Sequence, residues 1–392
     1  MSQGESKTSD ATRLIRAGHL ENAPMRTVGP PVVRGSTVLM PDAASLYDDS
    51  LVSYGRGGLT TQGALKAALC ELESGVGCQL FPSGIASITG PLLAILKAGD
   101  RLLVSDCAYT PTRRFCDQVL KRYGVDVAYF PPRATPEEIM AMGGPNLTAI
   151  LMESPGSLTF EITDVPGVAA LARARGVITM VDNTWAAGLL FKPLEHGVDI
   201  SIQALTKYVG GHSDVFMGSA CAGTPEMARK LEDGVANMGW SVSPDDAYQM
   251  LRGLRTLPTR IARHGESGLE MARWLRAQPQ VVQVLHPAMP GSPDHGLWAR
   301  DYSGACGLFG IVLQPASNLA VNAFLNSLNL FGLGFSWGGF ESLAIPSGNQ
   351  LQKRRHHLAL PGPVVRIHIG LEDTADLKAD LEQGLKVLDA AR

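Results

Sequence analysis

A lysine closes a short apolar run and is followed at once by a glycine pair: Ser201-Ile202-Gln203-Ala204-Leu205-Thr206-Lys207-Tyr208-Val209-Gly210-Gly211. An amine at a strand's end in semi-apolar surroundings has a lowered pKa, because desolvation disfavours its charged form. A neutral amine attacks an aldehyde and forms an imine. Thr206 beside it offers a hydroxyl to a phosphate oxygen. Upstream, Thr179-Met180-Val181-Asp182-Asn183 puts an acid directly after another apolar run. A carboxylate there suits a pyridine nitrogen, whose protonation makes the ring a stronger electron sink. Phe81-Pro82-Ser83-Gly84-Ile85-Ala86 is a small-residue turn opening a helical pattern, and the free N–H groups at such a start bind anions. Tyr109 follows a third apolar run and can stack on a flat ring. Later, Arg366 stands inside an apolar run, where an unpaired buried charge is costly. Its planar fork matches a carboxylate, and Ser336-Trp337-Gly338-Gly339 lies in the same third of the chain. Alone, each has an ordinary explanation: a surface lysine, a capping aspartate, an unliganded turn, an ion pair for Arg366. In order, they are an anion turn, a ring-stacker, a carboxylate, an imine-forming lysine and a carboxylate clamp. Those are the parts that pyridoxal 5'-phosphate (PLP) needs.

The surrounding chain alternates. From about 59 to 255, helical patterns at Thr61 to Leu72, at Gly84 to Leu96 and up to Lys121 separate apolar runs. The runs are Cys78 to Pro82, Arg101 to Ser105, Val125 to Phe130, Thr148 to Met152, Val177 to Val181 and Ile200 to Ala204. Asp164 caps a helix that Gly176 ends. Strands alternating with helices predict an α/β domain, a mostly parallel sheet covered on both faces. Ligands of such sheets bind at the carboxyl ends of the strands. From about 256 the character changes. A long helix, Thr259 to Gln278, leads to strand-like runs at Val281 to Leu285, Leu308 to Leu313 and Val364 to Ile369. A last helix, Ala375 to Ala391, has Asp373 as its cap, and the whole predicts a smaller α+β domain. Residues 1–58 read as an extension, with a helical run only near Asp10 to Gly18, suited to an arm on a neighbouring subunit.

The 392 residues, 45% hydrophobic and 18% charged, describe a globular chain larger than one small core. A formal net charge of -3 gives no nucleic-acid surface. The run Lys353-Arg354-Arg355-His356-His357 is expected on a solvated face or a subunit contact. No apolar stretch approaches the roughly 20 residues of a membrane span, and Pro91 interrupts Ile88 to Leu96. Met1 to Asp10 is polar and lacks the apolar core of a signal peptide, so a cytoplasmic protein is expected. Cys70, Cys78, Cys107, Cys116, Cys221 and Cys306 show no C-x-x-C spacing and are expected to be free, mostly buried thiols. No residue is assigned to a metal.

The stretches ESPGSLTFEITDVP (153–166), VDNTWAAGLLFKPLEHGVDISIQALTKYVGGHSD (181–214), SWGGFESL (336–343) and RIHIGLED (366–373) resemble the Cys/Met-metabolism family of PLP enzymes. The likeness runs from about Tyr54 almost to the C-terminus. It implies a fold-type I, aspartate-aminotransferase-like architecture with a seven-stranded sheet. The parts would be an arm (1–58), a PLP-binding large domain (59–255) and a small domain (256–392), in a homotetramer of catalytic dimers. By residue, it implies that Lys207 holds PLP as a Schiff base and shuttles protons, and that Asp182 binds the pyridine nitrogen. Tyr109 would stack on the ring and assist catalysis. Gly84 and Ile85 would give backbone N–H groups, and Thr206 its hydroxyl, to the phosphate. Tyr54 and Arg56 would reach the phosphate of the neighbouring subunit, Tyr54 also acting in catalysis. Arg366 would clamp the substrate α-carboxylate beside Ser336 and Trp337. The implied activity is carbon–sulfur β-lysis in methionine biosynthesis: L-cystathionine gives L-homocysteine, pyruvate and ammonia, with cystine and other S-substituted cysteines as competing substrates.

Three positions depart from the family's β-lyase pattern. Gly57 stands where a second arginine is usual, Arg114 where an aspartate is, and Phe335 where a tyrosine is common. The first two are expected to face the distal end of the substrate. Arg114 would then take the distal carboxylate and leave the distal ammonium without an acidic partner. Other readings stay open. One is a γ-acting member (cystathionine γ-lyase, γ-synthase or methionine γ-lyase), against which Trp337 argues by family pattern. Another is a non-catalytic regulatory relative, against which the intact Lys207, Asp182, Tyr109 and Arg366 argue. Racemisation is a third, as a side activity, since a carbanion can be reprotonated on either face.

Overall fold

The computed structural model describes residues 8–18, 27–48 and 50–392. Residues 1–7 of the polar N-terminal segment, and 19–26 and 49 of the arm, lie outside the described residues. Seven strands form one sheet: β1 (Gly77–Phe81), β2 (Arg101–Ser105), β3 (Asp126–Phe130), β4 (Leu147–Glu153), β5 (Ile178–Asp182), β6 (Ile200–Gln203) and β7 (Gly218–Ala222), in the order β1-β7-β6-β5-β4-β2-β3. The run from β3 to β6 is parallel throughout. β7 is antiparallel to both β6 and β1, so β1 and β6 point the same way.

Successive side chains on a strand face opposite sides of a sheet, and the apolar runs fill both. Leu103, Ile150, Met152 and Val181 join one core, with the Thr60–Glu73 and Val165–Ala174 helices. Leu102, Val104, Ala149, Leu151 and Met180 join the other, with the Gly84–Ile95 and Pro225–Met238 helices. Pro91 does not break the Gly84–Ile95 helix but sits inside it, where it forgoes one bond, to the carbonyl of Ser87.

The second sheet holds β8 (Val281–Leu285), β9 (Leu308–Leu313), β10 (Leu343–Pro346) and β11 (Val364–His368), all antiparallel, in the order β10-β11-β9-β8. The Leu257–Arg276 and Thr374–Ala390 helices pack on it around Phe309, Ile311, Val365 and Ile367. Asp373 caps the last helix, accepting the Ala375 N–H at 2.8 Å.

One expectation fails in the basic run. Arg354 is buried, not solvated: it donates to Glu161 at 3.0 Å, to the Ser157 carbonyl at 2.7 Å and to Thr159 Oγ1 at 2.6 Å. A guanidinium whose donors are matched this way can be buried, and here it ties the Lys353–His357 segment to the loop after β4. Its neighbours Lys353, Arg355, His356 and His357 are exposed. All six cysteines are free, and only Cys70 is not buried. Among the described residues no helix is long and apolar enough to cross a membrane.

Candidate active site

The carboxyl ends of β1, β2, β4, β5 and β6 share one edge of the large sheet. Gly84 follows β1, Tyr109 follows β2, Asp182 ends β5 and Lys207 follows β6. At Gly84 a Cβ would lie 2.5 Å from that of Ala204. Only glycine therefore lets the helix start sit against the chain leading to Lys207. Ser83 Oγ accepts the Ala86 N–H at 3.2 Å. The N–H groups of Gly84 and Ile85 have no protein acceptor among the described residues, which makes this helix start an anion-binding end.

Lys207 Nζ donates to Ser336 Oγ at 2.8 Å and stands 5.5 Å from the centre of the Trp337 ring. Burial, reinforced by the Arg366 charge and opposed by Asp182, pushes its pKa down to about 8. Burial raises the pKa of Asp182, against the Thr184 hydrogen bonds and the Lys207 charge. Asp182 accepts the Thr184 N–H at 3.1 Å, and Thr184 Oγ1 accepts the Ala204 N–H at 3.0 Å. Carboxylate and lysine thus hang on one short network. Thr206 Oγ1 donates to the Met217 carbonyl at 3.1 Å and accepts the Met217 N–H at 3.0 Å. Its single proton is committed there, and donation to a phosphate requires it to turn.

Arg366 is 5% exposed and has no carboxylate partner among the described residues. Its fork donates to the carbonyls of Phe335 at 2.8 Å, Gly334 at 2.8 Å and Ser336 at 3.0 Å, while Nε is buried without a partner. Burial brings its pKa down to about 10, with Tyr109 opposing. The structural ion pair that the sequence allowed is not built. A buried cation left with neutral ligands and a spare donor is a receptor for an anion.

Tyr109 is half-exposed at the start of the Thr110–Gln118 helix. Burial and the Glu153 charge raise its hydroxyl pKa. Its N–H donates to Glu153 Oε2 at 2.7 Å. Glu153 ends β4 beside Asp182 in the strand register, and burial followed by the Asp182 charge pushes it up to about 8. The sequence reading missed Glu153, although an acid directly after an apolar run is the signal that flagged Asp182. It also missed Arg260, which donates to the carbonyls of Tyr208 at 2.6 Å, Val209 at 3.2 Å and Gly253 at 2.8 Å and so braces the chain after Lys207.

Not every expected residue gathers here. Tyr54 and Arg56 line a separate surface cleft with Gln79, Trp240 and Val242, the Arg56 guanidinium 5.2 Å over the Tyr54 ring. Arg114 is exposed on the helix that Tyr109 opens and has no ion-pair partner among the described residues. Phe335 is 79% exposed as a residue, although its carbonyl is held by Arg366.

An amine of lowered pKa, a half-buried carboxylate, unused N–H donors at a helix start and a tyrosine fit PLP group by group. Comparison with known proteins agrees. Residues 11–386 match the profile of a family described as Cys/Met metabolism PLP-dependent enzyme. Cystathionine beta-lyase of Bordetella avium is 41% identical, over 94% of this chain and 96% of its own length. Cystathionine beta-lyase MetC of Escherichia coli (strain K12) is 39% identical, over 95% and 97%. A cystathionine gamma synthase structure from Xanthomonas oryzae pv. oryzae, in complex with aminoacrylate and cysteine, superposes with TM-score 0.91 at 31% identity, over 98% of this chain and 100% of that one. The site and these likenesses together make the chain a member of the Cys/Met metabolism PLP-dependent enzyme family.

Proposed function

We propose that the chain is a PLP-dependent carbon–sulfur β-lyase that cleaves L-cystathionine to L-homocysteine, pyruvate and ammonia. The observation that carries this reading is the pairing, across the 334–337 loop, of a buried guanidinium without a carboxylate and a lysine amine of lowered pKa. One amino acid offers a carboxylate to the first and a Cα proton to the second. The β-lyase names of the relatives support the choice of bond.

Bound PLP supplies the electron sink. Arg366 orients the α-carboxylate, beside Ser336 and Trp337. Lys207, partly neutral near its lowered pKa, removes the Cα proton and can return one to the departing thiolate. Asp182, half-buried at the end of β5, would keep the ring nitrogen protonated. Tyr109 would stack on the ring and assist catalysis. Gly84 and Ile85, with Thr206 once its hydroxyl turns, hold the phosphate.

The same reading divides the chain at 1–58, 59–255 and 256–392 and makes it a cytoplasmic homotetramer of catalytic dimers. Tyr54 and Arg56 lie apart from Lys207 of their own chain, and the arm exposes Val28 (82%), Leu39 (90%) and Tyr47 (88%). Both facts suit an arm that completes the phosphate site of a neighbouring copy. Arg114, exposed and unpaired, would take the distal carboxylate of cystathionine.

The test is the absorbance spectrum of the purified protein, with pyruvate and free thiol assayed together after L-cystathionine is added. Matched pyruvate and homocysteine, with cofactor absorbance that Lys207→Ala removes, is the expected result. Cysteine with 2-oxobutyrate would move the assignment to a γ-acting enzyme.

A further inference from the structure

We propose that His368 is a positioning residue for Lys207: by accepting the Gly338 N–H it holds Ser336 and Trp337 against the lysine amine. His368 is 0% exposed at the end of β11, two residues beyond Arg366 and so on the same face of the strand. Its Nε2 accepts the Gly338 N–H at 3.0 Å. Nδ1 therefore carries the proton and donates to the Glu341 carbonyl at 3.1 Å. Together, Arg366 and His368 grip the 334–341 loop at five backbone groups.

The grip matters because of where Gly338 lies. Its φ is +86°, and a Cβ there would come within 2.8 Å of the Tyr208 nitrogen and 2.9 Å of the Lys207 carbonyl carbon. The loop thus rests directly on the lysine's own peptide. Two residues earlier, Ser336 Oγ takes the Lys207 ammonium at 2.8 Å. An imidazolium would have no acceptor at Nε2. Burial and the nearby charges of Arg366 and Lys207 keep the ring neutral.

Glutamine and asparagine separate the two bonds, since Gln places an oxygen near Nε2 and Asn an N–H near Nδ1. On the PLP-loaded full-length enzyme, H368Q should keep kcat/KM within about threefold of wild type, with the same pH midpoint of the cofactor absorbance. H368N should lose about tenfold in kcat/KM and shift that midpoint by about one unit, the size of one lost hydrogen bond to a charged group. Ser336→Ala should reproduce the shift, and adding H368N to it should move the midpoint no further.

Equal impairment of H368Q and H368N, an unshifted midpoint in folded H368N, or additive shifts in the double variant would overturn the proposal. Should H368N not fold, H368Q and Ser336→Ala decide together: a wild-type midpoint in the first with a shifted one in the second supports the proposal, and a shift in the first or none in the second refutes it. The inference rests on Lys207 as the cofactor-bearing amine. Wild-type protein without cofactor absorbance sinks that reading, whereas wild-type absorbance with an insensitive H368N sinks only this one.

Discussion

Lysine at position 366 would keep the charge and lose the fork. Arg366 works as a planar donor set wedged among three carbonyls, a geometry an ammonium cannot copy. Arg366→Lys should lower kcat/KM for L-cystathionine by about 10- to 100-fold, mostly through KM, as expected for a charge-assisted hydrogen bond. Steady-state kinetics with kcat and KM resolved separately would check it, and an unchanged KM would contradict the clamp. Lys207, Asp182 and Arg366 were legible in the sequence because each is a charge at the end of, or inside, an apolar run. Glu153 carries the same signal as Asp182, an acid directly after an apolar run, Thr148 to Met152. His368 and Arg260 carried none. Their partners are backbone groups, which have no identity in a sequence.

Among the elements, the junction of the Gly84–Ile95 helix with the chain after β6 is the tightest test of the anion site. Gly84→Ala sets a methyl 2.5 Å from Ala204 Cβ and must push the helix start outward. Stability should fall by about 1–3 kcal/mol, as for overpacking. PLP affinity should weaken about tenfold through misaligned N–H donors. Thermal melts and cofactor titration of the apoprotein measure the two effects. The expected strands formed within about two residues, since each is a short apolar run bounded by turn residues. β7 was not legible: Gly-Ser-Ala-Cys-Ala has no bulky side chain, and neighbours on both sides place it. β10 escaped for another reason, since Leu-Ala-Ile-Pro is four residues long and acquires meaning only beside β11.

For the whole molecule, stability should depend on pH through buried histidines. Burial lowers the His264 pKa to about 4, from an ordinary value of 6.5. The unfolded chain takes up a proton below that ordinary value and the folded one does not. The His264 contribution is therefore present above pH 6.5 and disappears as pH falls toward 4. His264→Asn keeps a donor for the Ile369 carbonyl, now bonded at 2.9 Å, and cannot titrate. Wild type should lose up to about 3 kcal/mol relative to this variant between pH 7.5 and 4, measured by denaturant unfolding; parallel curves would refute the assignment. Subunit sharing has its own check. Lys207→Ala and Arg56→Ala chains, each inactive alone, should regain partial activity when mixed and allowed to exchange. No recovery despite exchange would return Arg56 to its own chain. Recovery would give the cleft that holds Tyr54 and Arg56 apart from Lys207 a genetic meaning. With a shared site, damage at Lys207 would stay private to the chain that carries it, because that chain would still lend a sound arm. Damage at Arg56 would be exported: its bearer would keep a working site whenever its neighbour is sound and would ruin the neighbour's instead. Two alleles of one gene, silent apart, would complement in a cell that makes both.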